Sequence, residues 1–159
     1  METVDIDAVA PTPTETGVQR RTLTDPLAAA NLAVNHYLLA PDDRLSSGLH
    51  AHTDQEEVFV VVEGSVAFET PDGTVTVGGG EAVRFAPGEY QSGRNAADRD
   101  AVVLAVGAPR DGGEIRVPRV CPDCGHDGMR PEADADGDAY LTCPDCGVEE
   151  LSPPPRGQW

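Results

Sequence analysis

Two copies of one short phrase, Cys121-Pro-Asp-Cys124-Gly125 and Cys143-Pro-Asp-Cys146-Gly147, limit what the end of the chain can fold into. Eighteen residues separate the pairs, a spacing that lets four thiolates close on one ion in a tetrahedron. Disulfides are the alternative. They are disfavoured because Met1 to Ala10 carries Glu2, Asp5 and Asp7 where a secretory leader needs positive charge. Four cysteine ligands leave no open position, so the expected ion is zinc and its job is structural. A segment this small buries too little apolar surface to fold alone, and ion binding has to supply most of its folding free energy.

The paired knuckles resemble a zinc ribbon, which implies a small β module over residues 119–151, joined by a linker at 111–118 and followed by a flexible tail at 152–159. Residues 119–151 hold two Arg against nine Asp and Glu, a balance of 2 − 9 = −7 that disfavours nucleic acid and makes a protein partner the expected contact. Asp134-Ala-Asp136-Gly137-Asp138 has its glycine misplaced for a calcium loop and reads as the module's hairpin turn.

The chain has 159 residues, room for one ordinary domain beside such a module. With 17 Gly, 14 Pro and only 4% aromatic residues, it favours short strands and turns over long amphipathic helices. Strands are expected at residues 32–39, 57–62, 65–70, 74–77, 82–86 and 101–106, punctuated by Gly64, Pro71-Asp72-Gly73, Gly78-Gly79-Gly80 and Pro87-Gly88. The fold class is therefore all-β, a sandwich or barrel over residues 20–110. Val58 to Val62 is apolar without alternation and reads as a strand covered on both faces. Residues 1–16, acidic and without periodicity, are expected to be a mobile tail.

His50 and His52, two apart, fall on one face of an extended strand, and Glu57 opens the next apolar run. Two neutral imidazoles and a carboxylate form a facial ligand set that leaves coordination positions open, suited to iron and also to manganese, nickel, copper or zinc. A hydrogen-bonded polar cluster without metal is the alternative. His36, alone among apolar residues, is left out of the site.

His50, His52, Glu57 and Gly64 match the first motif of the cupin superfamily, which this chain resembles over roughly residues 31–107; Glu56 does not fit that spacing. Gly80, Pro87, Gly88 and Asn95 answer the second motif, with Gln91 where a fourth metal-binding histidine is usual. The resemblance implies a jelly-roll barrel with a divalent ion in its mouth. A glutamine amide oxygen is a weaker, neutral donor than imidazole, so Gln91 becomes a labile ligand or a hydrogen-bond donor to a metal-bound water. Glu89 and Tyr90 flank Gln91. Glu89 is expected to be a solvated surface carboxylate, and Tyr90 is a weak candidate for the pocket wall.

The chain carries 28 acidic and 11 basic residues, a formal net charge of −17, and every basic residue is Arg. Such a surface repels phosphate backbones and anionic lipids, and it is the balance expected of a halophilic, haloarchaeal protein whose self-repulsion salt screens away. No apolar run approaches the roughly 18 residues that span a bilayer, so a cytoplasmic protein is expected. Sheet edges in barrels of this kind suggest a homodimer. Two functions remain open: a metal-dependent dioxygenase or isomerase acting on a small oxygen-bearing molecule, or a non-catalytic sensor or scaffold whose ribbon docks a protein.

Overall fold

The structure, a computed structural model, describes residues 1–153. Among them there is no α-helix, and no helix long and apolar enough to cross a membrane. Thirteen strands run in order: β1 Gln19–Thr22, β2 Ala33–Leu39, β3 Ala51–His52, β4 Glu56–Glu63, β5 Ser65–Thr70, β6 Gly73–Gly78, β7 Glu81–Phe85, β8 Ser92–Arg94, β9 Ala101–Ala108, β10 Ile115–Val120, β11 Asp127–Ala133, β12 Ala139–Thr142 and β13 Glu149–Glu150. The expected tail at 152–159 lies, from residue 154 on, outside the described residues.

Antiparallel pairing produces a five-stranded sheet, β1-β2-β9-β4-β7, and a three-stranded sheet, β6-β5-β8, with one core between them. All three phenylalanines meet there: Phe59 and Phe68 have ring centroids 5.1 Å apart, and Phe68 and Phe85 5.5 Å. Val58 to Val62 departs from expectation. Phe59 and Val61 are buried at 4% and 0%, whereas Val62 is 53% exposed. Only one face of β4 meets the opposing sheet, so ordinary alternation returns despite the unbroken apolar run. Gly64 makes the turn after β4 possible: its φ is +78°, and a Cβ there would stand 2.7 Å from the Asp100 carbonyl oxygen. Phe68→Ala is expected to cost about 3–5 kcal/mol, because Phe68 is fully buried between two aromatic neighbours, and a lowered urea midpoint at unchanged slope would report it.

The start of the chain lies along β1. Thr12 donates its N–H to the Arg20 carbonyl, Thr14 Oγ1 donates to the Val18 carbonyl, and Arg21 Nε donates to the Val9 carbonyl, after a 3-10 turn at Ile6–Ala8 capped by Asp5. Local backbone acceptors thus hold a segment whose composition alone suggests a tail.

Residues 111–118, expected as a linker, become strand from Ile115 onward. Charged and apolar residues alternate there, and β10 extends from β3, with Ile115 opposite His52 and Arg116 opposite Ala51. A second five-stranded sheet, β13-β12-β11-β10-β3, therefore runs from the cysteine module into the barrel strand that carries His52. Pairing of β10 with β11 shifts register between Val117 and Val120, where Pro118 has no N–H to offer.

Candidate metal centres

A reciprocal backbone pair brings the barrel cluster together: His50 N–H donates to the Gln91 carbonyl at 3.1 Å, and Gln91 N–H donates back at 2.9 Å. His50 and Gln91 thereby face each other across the barrel mouth, and β3 sets His52 two residues on, with the two imidazole centroids 5.4 Å apart. On β4, Glu57 turns to the same cavity, while Glu56 pairs outward with Arg84 Nε at 2.7 Å. Neighbouring carboxylates on one strand take opposite faces, which is why only Glu57 serves.

One ligand atom from each of His50, His52 and Glu57 falls within 4.8 Å of the others. Glu57 Oε2 stands 3.5 Å from His52 Nε2 and accepts from Gln91 Nε2 at 3.1 Å. Gln91 Nε2 is 3.4 Å from His50 Nε2. The structure thus brings all four expected residues to one place. The Gly48 carbonyl, 3.2 Å from His50 Nδ1, can only accept, so Nδ1 carries the hydrogen and the Nε2 lone pair faces the cluster.

Burial lowers the pKa of His50, against opposing pulls from the Gly48 carbonyl and Glu57, and lowers that of His52, against Asp54. Burial raises the pKa of Glu57, opposed by His50 and by the Gln91 hydrogen bond. Neutral imidazoles are the form that binds a cation, and the carboxylate is poorly compensated without one. Gln91 is only 3% exposed, and its Oε1 is buried without a hydrogen-bond partner. A half-turn of the amide would present that oxygen to the cluster in place of the nitrogen, so the donor set fits a divalent cation.

Gln55, Phe85 and Glu89 complete the cavity wall. Glu89 is solvent-exposed and its Oε2 accepts from Ala86 N–H, while Tyr90 turns away, its hydroxyl 2.7 Å from where a Cβ of residue 128 would stand. Gln55 escaped the sequence reading because no motif spacing marks it. Buried at 7%, it donates from Nε2 to the Pro109 carbonyl at 2.6 Å and fastens residues 107–113 beside the cluster.

The four cysteines also converge. Cys121 and Cys146 sulfurs lie 3.7 Å apart, and those of Cys124 and Cys143 3.6 Å. Bonds of about 2.3 Å in a tetrahedron put sulfurs about 3.8 Å apart, whereas a disulfide would need about 2.05 Å. Matching turns set each pair: Gly125 N–H donates to the Cys121 carbonyl at 3.1 Å and Gly147 N–H to the Cys143 carbonyl at 3.0 Å, both glycines at φ 75°. Burial opposes ionisation of Cys143, yet hydrogen bonds from the backbone of Cys146 and Asp145 and from neighbouring thiols hold it down to about 6. Cys124 gains from a backbone hydrogen bond at His126, but burial and the other three sulfurs push it up to about 12. Four thiolates cannot coexist there without a cation, and the quartet could hold one. The Asp134-to-Asp138 stretch is a hairpin turn, closed by Asp134 N–H to the Asp138 carbonyl at 3.0 Å.

The family model described as a cupin domain matches residues 36–107, the stretch that holds all four barrel residues. Those residues have the cupin fold. Solved structures with the same fold include a sugar phosphate isomerase of the cupin superfamily from Silicibacter pomeroyi DSS-3, 21% identical, with a TM-score of 0.71 over 98% of this chain and 99% of that one. The polyketide cyclase RemF from Streptomyces resistomycificus is 25% identical, with a TM-score of 0.64 over 77% of this chain and 89% of its own. A predicted oxalate decarboxylase from Thermotoga maritima is 20% identical, with a TM-score of 0.60 over 67% and 98%. None of the curated proteins matches the chain. The Silicibacter structure covers the cupin and the cysteine module alike, so its architecture extends beyond the barrel.

Proposed function

We propose that this cupin is a metal-dependent enzyme acting on a small oxygen-bearing molecule, with His50, His52, Glu57 and the Gln91 amide oxygen as ligands to one divalent cation. The observation that carries this reading is the convergence of two neutral imidazoles and a carboxylate beside a buried amide oxygen that has no other partner. A divalent ion there supplies Lewis-acid polarisation of a carbonyl or enol oxygen, compatible with an isomerase or an iron-dependent dioxygenase. Gly48 fixes the His50 tautomer, Glu57 supplies the balancing charge, and the cavity wall of Gln55 and Phe85 limits water around the cluster. The four cysteines hold a structural zinc, and the arginine-only acidic surface suits a cytoplasm of concentrated salt.

Metal analysis by mass spectrometry on protein purified in high salt tests this. Two ions per chain are expected, falling to one in the His50→Ala/His52→Ala variant. A double variant that keeps both ions sinks the proposal. Uptake by the barrel site should weaken as pH falls below about 6.5, because each proton taken by an imidazole removes a ligand, and the lowered pKa values shift that loss further into acid.

A second reading, a scaffold that docks a protein through its cysteine module, is favoured by the exposure of Val120 at 56% and Leu151 at 71%. One zinc per chain, unchanged in the His50→Ala/His52→Ala variant, would select it.

A further inference from the structure

A cleft of about 770 Å³ opens between residues 13–16, the 45–49 loop and the module strands β10 and β11, and His50 stands in its wall. That volume suits a small ligand. The same imidazole lines the metal cavity, so the two spaces share one residue. Apolar surface comes from Leu45, Leu49, Ile115 and Val117.

Five charged residues line the cleft, and four are already engaged. Arg130 pairs with Glu114 and lies 3.6 Å from Glu132, which also accepts the Tyr140 hydroxyl at 2.8 Å. Glu114 pairs with Arg116 as well, and Glu15 accepts the Ser47 hydroxyl at 3.2 Å. Arg20 differs. Seven of the ten described arginines form carboxylate ion pairs and Arg20, Arg21 and Arg99 form none; Arg21 Nε donates to the Val9 carbonyl and Arg99 is exposed, whereas Arg20 Nε is buried without an acceptor. In a chain of net charge −17, a guanidinium that lines a cleft and keeps a buried nitrogen without any acceptor is an anomaly that a ligand would resolve.

Arg20 faces Tyr37 across the β1–β2 pair. Burial raises the Tyr37 pKa, while the charge of Arg20 and its hydrogen bond to the phenol pull it down and the charge of Glu57 adds to the rise. The phenol therefore sits within electrostatic reach of both the guanidinium and the metal-site carboxylate.

We propose that this cleft binds the substrate and that Arg20, braced by Tyr37, is the anchor for an anionic oxygen group on it, a carboxylate or a phosphate. A planar guanidinium binds two oxygens of either group side by side, and hydrogen bonding of that kind survives salt that screens a bare charge. Placing the rest of the ligand toward His50 rests on the barrel being a metal site, whereas the anchor itself does not.

Calorimetric titration of the full chain with malonate, with inorganic phosphate and with neutral malonamide, at one ionic strength, tests the anchor and tells carboxylate from phosphate. Malonate or phosphate is expected to bind and malonamide not to. Arg20→Met should weaken the bound anion about tenfold or more, and Tyr37→Phe, which keeps the charge and the fold, by a smaller factor. Circular dichroism confirms that each variant is folded, and Arg20→Lys serves in place of Arg20→Met should the latter unfold. Binding that persists in His50→Ala/His52→Ala but falls in Arg20→Met establishes the anchor whatever becomes of the metal reading. Binding lost only in the histidine variant assigns the anion to the cation and overturns the proposal, as does failure of both anions to bind.

Discussion

Stripping the ion from the four cysteines, by chelation or by Cys143→Ser, is expected to unfold residues 115–150 while the barrel stays folded. The module's core amounts to Val117, Met129, Leu141 and the buried sulfurs of Cys121 and Cys143, with Val148 beside them. Ordering the backbone costs about 1–2 kcal/mol per residue, which so small a cluster cannot offset. Structural zinc contributes about 10–16 kcal/mol in small domains of this kind. Hydrogen exchange should then lose its protection across β11 and β12 and keep it across β4 and β9, whose pairing runs from Glu56 opposite Ala108 to Glu63 opposite Val102. Protection retained in β11 and β12 would show that the module stands without its ion. Because Ile115 pairs with His52 and the Glu114 carbonyl accepts Thr53 N–H at 3.0 Å, the loss should reach β3 and weaken cation binding in the barrel.

That link marks where sequence reasoning stops. Residues whose spacing encodes chemistry are plain: the two cysteine phrases, and His50 and His52 two apart on one strand face with Glu57 at the start of the next strand. Gln91 was reachable because Gly80 and Asn95 hold its position in a motif. The strands with strong local signals appear within a residue or two of expectation at their ends, and β5 coincides with it. Less visible were elements defined only by a distant partner. β1 is four residues with three of its side chains half-buried, paired with β2 on one side and bridged by Thr12 at Arg20, and β3 has two residues. Arg20 carries no sequence signal, since its significance lies in a buried Nε that meets no acceptor. Pairing of β10 with β3 was hidden behind Gly112 and Gly113, whose breaker character is real but brief. In the same way an apolar run cannot report whether one face or two will be covered, and Val62 shows the result.

Gln55 ties that junction, and Gly112→Ala tests it most severely. A Cβ at residue 112 would stand 2.5 Å from Gln55 Cδ and 2.8 Å from Gln55 Cβ, and a Cβ at residue 107 would stand 2.7 Å from the same Cδ. Residue 112 has no left-handed φ, so packing rather than backbone strain sets the cost. Displacing Gln55 breaks its 2.6 Å bond to the Pro109 carbonyl and moves one wall of the metal cavity. Overpacking of about 1–3 kcal/mol joins a lost buried hydrogen bond of about 1–3 kcal/mol, so Gly112→Ala should destabilise by about 2–5 kcal/mol. Cation affinity in the barrel should also fall about 10–100-fold, the usual penalty for disturbing a support beside metal ligands. In Gln55→Ala the clash has no object, so the double variant Gln55→Ala/Gly112→Ala should be more stable than the sum of the single costs by about 1 kcal/mol or more. Urea unfolding of the four proteins measures that difference. Simple additivity would mean that Gln55 and the 107–113 segment move independently, leaving the cysteine module coupled to the barrel through contacts other than Gln55, chiefly the β3–β10 pairing.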